Sequence, residues 1–215
     1  MALSADVCVL LPALNEAATI TDVITSYQAA GFTNILVIDG GSSDGTRQTA
    51  EDAGATVISQ TGSGKGQAVR QAVAHIDAPY VLMVDAVMTY GAADAEAVLE
   101  PLVDGDADHV IGDRFADMQP GAMTTLNKIG NRLFNRIFRV IYGENYADIL
   151  SGYRAFSTDS FEQLTLTADG FGIETEMAIQ CAKHEVTTTV VPITYRPRPD
   201  GSATNLHPIK DGSII

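Results

Sequence analysis

Val9-Leu10-Leu11-Pro12-Ala13-Leu14-Asn15-Glu16 and Val37-Ile38-Asp39-Gly40-Gly41-Ser42-Ser43-Asp44-Gly45-Thr46 decide the reading of this 215-residue chain. Each is an apolar run that ends in a polar turn and opens a helix, and the two lie about one strand–helix unit apart. Parallel strands whose carboxyl ends both carry acidic or polar loops build a nucleotide pocket on one edge of the sheet. Neither segment is a glycine-rich phosphate cradle of the Walker or G-x-G-x-x-G kind, which removes the kinase and dehydrogenase readings.

The same rhythm continues outward. Strands are expected at Val7–Leu11, Asn34–Ile38, Ala55–Ser59, Tyr80–Val84 and His109–Gly112. Helices are expected at Glu16–Ala30, with Asn15 as a cap, at Asp44–Ala53, from the Thr61–Gly66 turn to about His75, and around Ala92–Leu99. This β-α-β-α order predicts an α/β fold with a mostly parallel sheet covered by helices on both faces. After Asp117 the pattern changes: a basic helix, a loop at Asn145–Gly152, a strand at Tyr153–Ser157, a helix at Ile173–Lys183, a strand at Val186–Tyr195, then a turn-rich tail from Arg196 to Ser202. An apolar segment opens at Gly212–Ile215, so the natural polypeptide is expected to continue.

Composition narrows the function. The net charge of −14, with four lysines, argues against a nucleic-acid partner and suits a solubilising acidic surface, or adaptation to high salt. No run of about 18 apolar residues would span a bilayer, and no secretory signal opens the chain. Cys8 and Cys181 are too few for a disulfide framework and are expected to pack as small buried thiols. From Met118 to Gly143 there is no Asp or Glu, and Lys128, Arg132, Arg136 and Arg139 fall on one helical stripe among Leu126, Ile129, Leu133, Phe134, Ile137, Phe138, Val140, Ile141 and Tyr142. A basic, apolar helix in an acidic protein points to an anionic surface such as phospholipid or a lipid phosphate; the alternative is an ordinary helix whose arginines pair with acidic neighbours.

Several side chains carry candidate chemistry. Asp85 ends the apolar strand Tyr80–Val84, where a carboxylate holds a divalent ion that neutralises a diphosphate, or caps the next helix. Asp39 ends the second strand and suits a base or a ribose hydroxyl, with Pro12 and Glu16 on the same edge. Asp44 reads as a cap of its own helix. Lys65, between two glycines at a helix start, adds charge where the backbone approaches an anion, or is an exposed loop lysine. Asp148-Ile149-Leu150-Ser151-Gly152-Tyr153-Arg154 joins an acid to an arginine, and Arg198 sits between two prolines; the guanidinium fork suits phosphate. Glu174 and Glu176 open a helix, where acids are favoured in any case.

With these residues in place, the chain resembles the family 2 glycosyltransferases of the GT-A fold, and within them the archaeal dolichyl-phosphate mannose and glucose synthases of protein N-glycosylation. The motifs P-A-L-N-E, I-D-G-G-S-S-D-G-T, G-K-G, D-A-V, V-I-G-D-R-F, D-I-L-S-G-Y-R and R-P-x-G-S carry the resemblance, from about Val7 to Leu206. It implies one domain over 1–215, with residues 1–117 holding the nucleotide sugar and 118–215 the acceptor. It implies a donor bound by Pro12, Leu14, Glu16, Asp39 and Lys65, with Asp85 and Ala86 facing ribose, metal and diphosphate. Arg198 would hold the diphosphate, Asp148 and Arg154 would line the reaction centre, and Arg114, Lys128 and Arg132 would meet the acceptor phosphate. The implied cofactor is Mg²⁺ or Mn²⁺ on Asp85. Its second acid is missing, since Val87 stands where the family has D-x-D, leaving water, the diphosphate and Thr89 to complete the shell. Gly40 replaces an acid found in many relatives, and Asn205 stands where related synthases often carry lysine.

The implied reaction is inverting transfer of a hexose from UDP-glucose or GDP-mannose to dolichyl phosphate. It would occur on the cytoplasmic face of the membrane, with the 126–142 helix as peripheral contact. Two other functions fit the residues: transfer to a sugar hydroxyl with Asp148 or Glu174 as base, and a nucleotide-sugar or lipid-phosphate binding protein that has lost catalysis.

Overall fold

The computed structural model describes residues 3–199. Asn205, the end of the R-P-x-G-S motif and the terminal apolar segment therefore lie outside the described residues. The strands are β1 (Val7–Ala13), β2 (Ile35–Asp39), β3 (Thr56–Ser59), β4 (Tyr80–Met83), β5 (His109–Met118), β6 (Arg154–Ser157) and β7 (Thr188–Tyr195). The helices are α1 (Ile20–Ala29), α2 (Thr46–Asp52), α3 (Lys65–Val73), α4 (Ala95–Val103), α5 (Thr125–Tyr142), α6 (Thr158–Gln163) and α7 (Ile173–Lys183).

One seven-stranded sheet runs β3-β2-β1-β4-β6-β5-β7. All neighbours are parallel except β6, which is antiparallel to both β4 and β5. The expected mostly parallel α/β sheet is therefore present, and β6 is its one reversed strand. The period-2 geometry of β1 sorts the core into two layers. Val7, Val9 and Leu11 pack with residues of α1 and α4 such as Val23, Ile24, Val98 and Leu99. Cys8 and Leu10 face the opposite layer, with Val69 of α3 and Met177 of α7. Cys8 and Cys181 are free and buried, as expected, and burial pushes both thiols up to about 12.

Two boundaries move for a physical reason. The first helix was expected from Glu16 with Asn15 as cap, but α1 begins at Ile20, after Thr19. The amides before it are bound elsewhere: Asn15 donates to Ser42 Oγ (2.8 Å), Glu16 to Thr46 Oγ1 (2.8 Å) and Ala17 to Asp44 Oδ2 (3.1 Å). Asn15 sits at φ 56° and accepts from the Ser43 amide. Asp44 accepts from the Thr46 amide at the start of α2, as its capping role requires, and so ties the two loops together. The fifth strand runs on to Met118 because its outer part pairs with β7 beyond a register shift between Asp113 and Asp117.

α5 presents its faces in an unexpected order. Asn127, Asn131, Phe134, Asn135, Phe138 and Tyr142 turn inward. Asn135 bridges the Ala147 carbonyl and the Ile149 amide, and Asn131 accepts from Arg114 Nη2 (3.0 Å). At ~100° per residue the basic stripe lies beside this face and the apolar stripe lies beyond it, toward solvent. Leu126 is 69% exposed, Val140 79% and Ile141 65%. Among the described residues, Lys128, Arg132, Arg136 and Arg139 form no ion pair; Arg132 lies over the Phe115 ring.

Candidate functional site

The carboxyl ends of β1, β2 and β4, the middle of β5, the N-termini of α3, α5 and α7, and the segment after β7 converge on one cleft of about 1020 Å³. Pro12, Leu14 and Glu16 line one wall, Lys65, Asp85, Ala86 and Glu174 the floor, Arg114 and Tyr195 the far side, and Arg198 the rim. The opposite arm is apolar, with Met123, Leu126, Phe134, Leu150 and Phe171.

Lys65 is the hub of the floor. Its Nζ donates to Asp85 Oδ1 and Glu174 Oε1, which reach it from β4 and α7. Burial alone would discharge this ammonium, but the two carboxylates outweigh it and hold its pKa above the usual lysine value. Burial pushes the Asp85 carboxyl up as well. Lys65, with Arg114 and Arg198 behind it, prevails and keeps it below the usual range. The glycines around Lys65 have a different use from the expected anion cradle. A Cβ on Gly64 would lie 2.9 Å from the Asp169 carbonyl carbon, and one on Gly66 2.8 Å from that of Ala168. The Gly66 amide donates to the Asp169 carbonyl at 2.9 Å. G-K-G is thus a backbone-to-backbone contact that sets the start of α3 against the loop before α7. Gly152 serves Asp85 in the same manner, since a Cβ there would stand 2.8 Å from Asp85 Cγ.

Arg114 enters from β5 with its side chain 10% exposed and gives Asp148 a forked pair, Nε to Oδ2 at 2.6 Å and Nη2 to Oδ1 at 2.7 Å. Its guanidinium also stands 5.4 Å from the centre of the Tyr195 ring. Glu16 lies 4.0 Å from Arg198; burial raises its carboxyl to about 7 against the pull of that arginine.

Several expected residues sit away from the cleft surface. Asp148 is absent from the lining: it is fully buried behind Arg114 as its counter-charge. Arg154 is fully buried too, donating to the Ser151 (2.9 Å) and Ile149 (2.5 Å) carbonyls, so it shapes the 148–152 loop instead of facing substrate. His109, beside it, is held neutral, its pKa pushed well down by burial and then by the Arg154 charge. Asp39 spends its carboxylate on the Gly41 and Ser42 amides of its own turn and is absent from the lining of the cleft. Lys128, half-buried, and Arg132, exposed, are absent from that lining as well. Thr89 is buried outside the cleft. Sequence reasoning left Glu174 as a helix-start acid; its contact with Lys65 spans 109 residues of chain, which no local pattern reveals. Gln60, Asn131 and Tyr195 carried no sequence signal at all.

The divalent ion has a narrow seat. Among the described residues no group of three His, Cys, Asp or Glu side chains could hold a metal, and Val87 is buried. Asp85 Oδ2, however, takes no hydrogen bond from the described residues and belongs to a carboxylate 30% exposed on the floor of the cleft. A single carboxylate oxygen suits an ion that brings its other ligands with it, as Mg²⁺ does when it travels on a diphosphate with its waters.

The family profile described as Glycosyl transferase family 2 matches residues 8–165. Glycosyltransferase AglJ of Haloferax volcanii is 66% identical over 210 residues, covering 97% of this chain and 69% of that protein. A dolichyl-phosphate hexose transferase of the same organism is 32% identical over 98% of this chain and 90% of its own length. Among solved structures, glucosyl-3-phosphoglycerate synthase of Mycobacterium tuberculosis, crystallised with Mn²⁺ and UDP-glucose, superposes with a TM-score of 0.75 at 22% identity, over 95% of this chain and 76% of that one. It shares the GT-A fold.

Proposed function

The chain belongs to glycosyl transferase family 2 and is a glycosyltransferase, and from that membership we propose that it transfers a hexose from UDP-glucose or GDP-mannose to dolichyl phosphate in protein N-glycosylation. The observation that carries the reading is the junction of two unlike surfaces. A cleft floored by Asp85, Lys65 and Glu174 opens directly onto α5, whose outward face is apolar and basic. A soluble acceptor has no use for such a helix; a lipid phosphate does.

In this reading residues 1–117 hold the donor and 118–215 the acceptor. Pro12, Leu14 and Glu16 bind the nucleoside, and Lys65 and Arg198 face the diphosphate. Mg²⁺ or Mn²⁺, carried on the diphosphate and seated on Asp85 Oδ2, would supply positive charge for the leaving group. Arg114, oriented by Asp148 and Asn131, faces the acceptor phosphate, while Lys128 and Arg132 meet lipid headgroups outside the cleft. A phosphate monoester has a second pKa of about 6, so it arrives as a dianion and needs no general base. The chain's tasks are to align its oxygen with the anomeric carbon and to stabilise the departing nucleoside diphosphate, with inversion as the outcome.

Transfer to a sugar hydroxyl would need a carboxylate base. Of the two candidates, Asp148 is committed to Arg114 and Glu174 to Lys65. Among the described residues no helix is long and apolar enough to cross a membrane. The proposed location is at the membrane surface, with α5 lying in the interface on the cytoplasmic face.

The test offers labelled UDP-glucose or GDP-mannose to the protein with either dolichyl phosphate or free sugars. The reading expects label in the organic phase, lost in Asp85→Asn. Label on the soluble sugar alone would refute it.

A further inference from the structure

The charges around the cleft do not leave room for a bare diphosphate. Lys65, Arg114 and Arg198 are its cations; Asp85, Glu174, Asp148 and Glu16 are its anions. Among the described residues three positive groups stand against four negative ones, and of these four the carboxyl of Glu16, raised to about 7, is the one poised to give up its charge. A sugar nucleotide would add two more negative charges to a part-buried site with no cationic surplus, which is strongly unfavourable.

A bare divalent ion fares no better. The oxygen it needs belongs to the carboxylate that Lys65 already holds, and Val87 supplies no second donor. The ammonium would stand within a few ångströms of the ion, and like charges at that separation repel strongly in a part-buried cleft. Lys65 is not free to drift away, since Glu174, 6% exposed, anchors it from the other side.

We propose that Lys65 is a resident cation that neutralises Asp85 in the empty cleft and excludes a divalent ion unless the ion arrives with a nucleoside diphosphate. A sugar nucleotide with its ion then adds no net charge, and a free nucleoside diphosphate with its ion adds about one negative charge in place of about three. Lys65 loosens from Asp85, stays on Glu174, and turns its remaining donors to the phosphate. Ion and nucleotide thus bind as one ligand, each nearly without affinity alone. The inference rests on the proposed binding of a nucleoside diphosphate in this cleft.

The experiment is calorimetric titration of the full chain with Mn²⁺, with UDP or GDP in EDTA, and with each nucleotide plus Mn²⁺, beside the variant Lys65→Met. In the native protein each partner is expected to tighten the other by about tenfold or more, and by the same factor in both directions, as linkage requires. Lys65→Met frees two carboxylates and is expected to gain Mn²⁺ binding without nucleotide, again by about tenfold or more; a cooperative thermal transition of the variant, shifted upward by Mn²⁺, ties the gain to the folded chain. Mn²⁺ binding to the native protein alone, as tight as with nucleotide, overturns the proposal. So does nucleotide binding in EDTA as tight as with Mn²⁺, or no gain in Lys65→Met. If neither nucleotide binds a folded chain under any condition, the donor reading fails. The Lys65→Met titration with Mn²⁺ alone still decides whether the lysine bars the ion.

Discussion

Replacing Asp148 by alanine is expected to destabilise the fold by about 3–5 kcal/mol, because it strands a guanidinium that has little access to water. Asp148 is fully buried and accepts three hydrogen bonds from Arg114: Nε at 2.6 Å, Nη2 at 2.7 Å and the backbone amide at 3.3 Å. Arg114→Ala is expected to do comparable damage from the other side, since it leaves a buried carboxylate unpaired. The double replacement Arg114→Met with Asp148→Leu removes both charges and refills the volume, so it is expected to recover most of the loss. The non-additivity between single and double variants is then about 2 kcal/mol or more, within the range measured for residues in contact. The assay is denaturant unfolding in molar KCl with the slope checked for constancy. Single losses below about 1 kcal/mol, or a double loss equal to their sum, would refute the claim that this pair is a buried, mutually dependent unit.

Three further outcomes follow from separate parts of the molecule. Gly66→Ala drives a Cβ into the Ala168 carbonyl and is expected to lower stability by about 1–3 kcal/mol through overpacking, read by thermal unfolding; a change within experimental noise would show that the G-K-G contact yields freely. Glu16 binds a proton more tightly folded than unfolded, so stability falls as pH rises from about 4.5 toward 7. Glu16→Gln is expected to flatten that fall and to raise stability above pH 7, and a parallel pH profile would contradict the buried carboxyl. Vesicle flotation separates the two stripes of α5: in molar salt the Debye length is about 3 Å, so charge is screened and Ile141→Asp with Leu133→Asp is expected to release the protein. Arg132→Glu with Arg136→Glu matters mainly at low salt, where each basic residue is worth about 1 kcal/mol. Equal flotation of both double variants and the native chain would defeat membrane contact through this helix.

How much was legible in the sequence depended on how local the physics was. The β1 and β2 readings rested on apolar runs and turn residues, which are local, and the strands fell where expected. The start of α1 was misread because its first amides are bound by Ser42, Asp44 and Thr46, about thirty positions away. The family resemblance, not the spacing, implied a reaction-centre role for Asp148 and Arg154. Burial gave each a different partner, and the sequence holds no sign of burial for these two charged residues. The amphipathic character of α5 was plain. Its orientation was not, because two asparagines, Asn131 and Asn135, ordinarily a solvent signature, turn inward to satisfy Arg114 and the backbone at Ala147 and Ile149. The Lys65–Asp85–Glu174 cluster draws on β4 and two separate helix starts, so only the folded chain assembles it.

The most direct test of the account is the mass of the lipid product formed from labelled sugar nucleotide and dolichyl phosphate. Attack of the acceptor phosphate on the anomeric carbon yields dolichyl phosphate bearing one hexose, with a nucleoside diphosphate released, and that is the predicted result. A dolichyl diphosphate sugar with release of a nucleoside monophosphate, or a product in which the sugar is joined to another sugar and the lipid is unchanged, would contradict it.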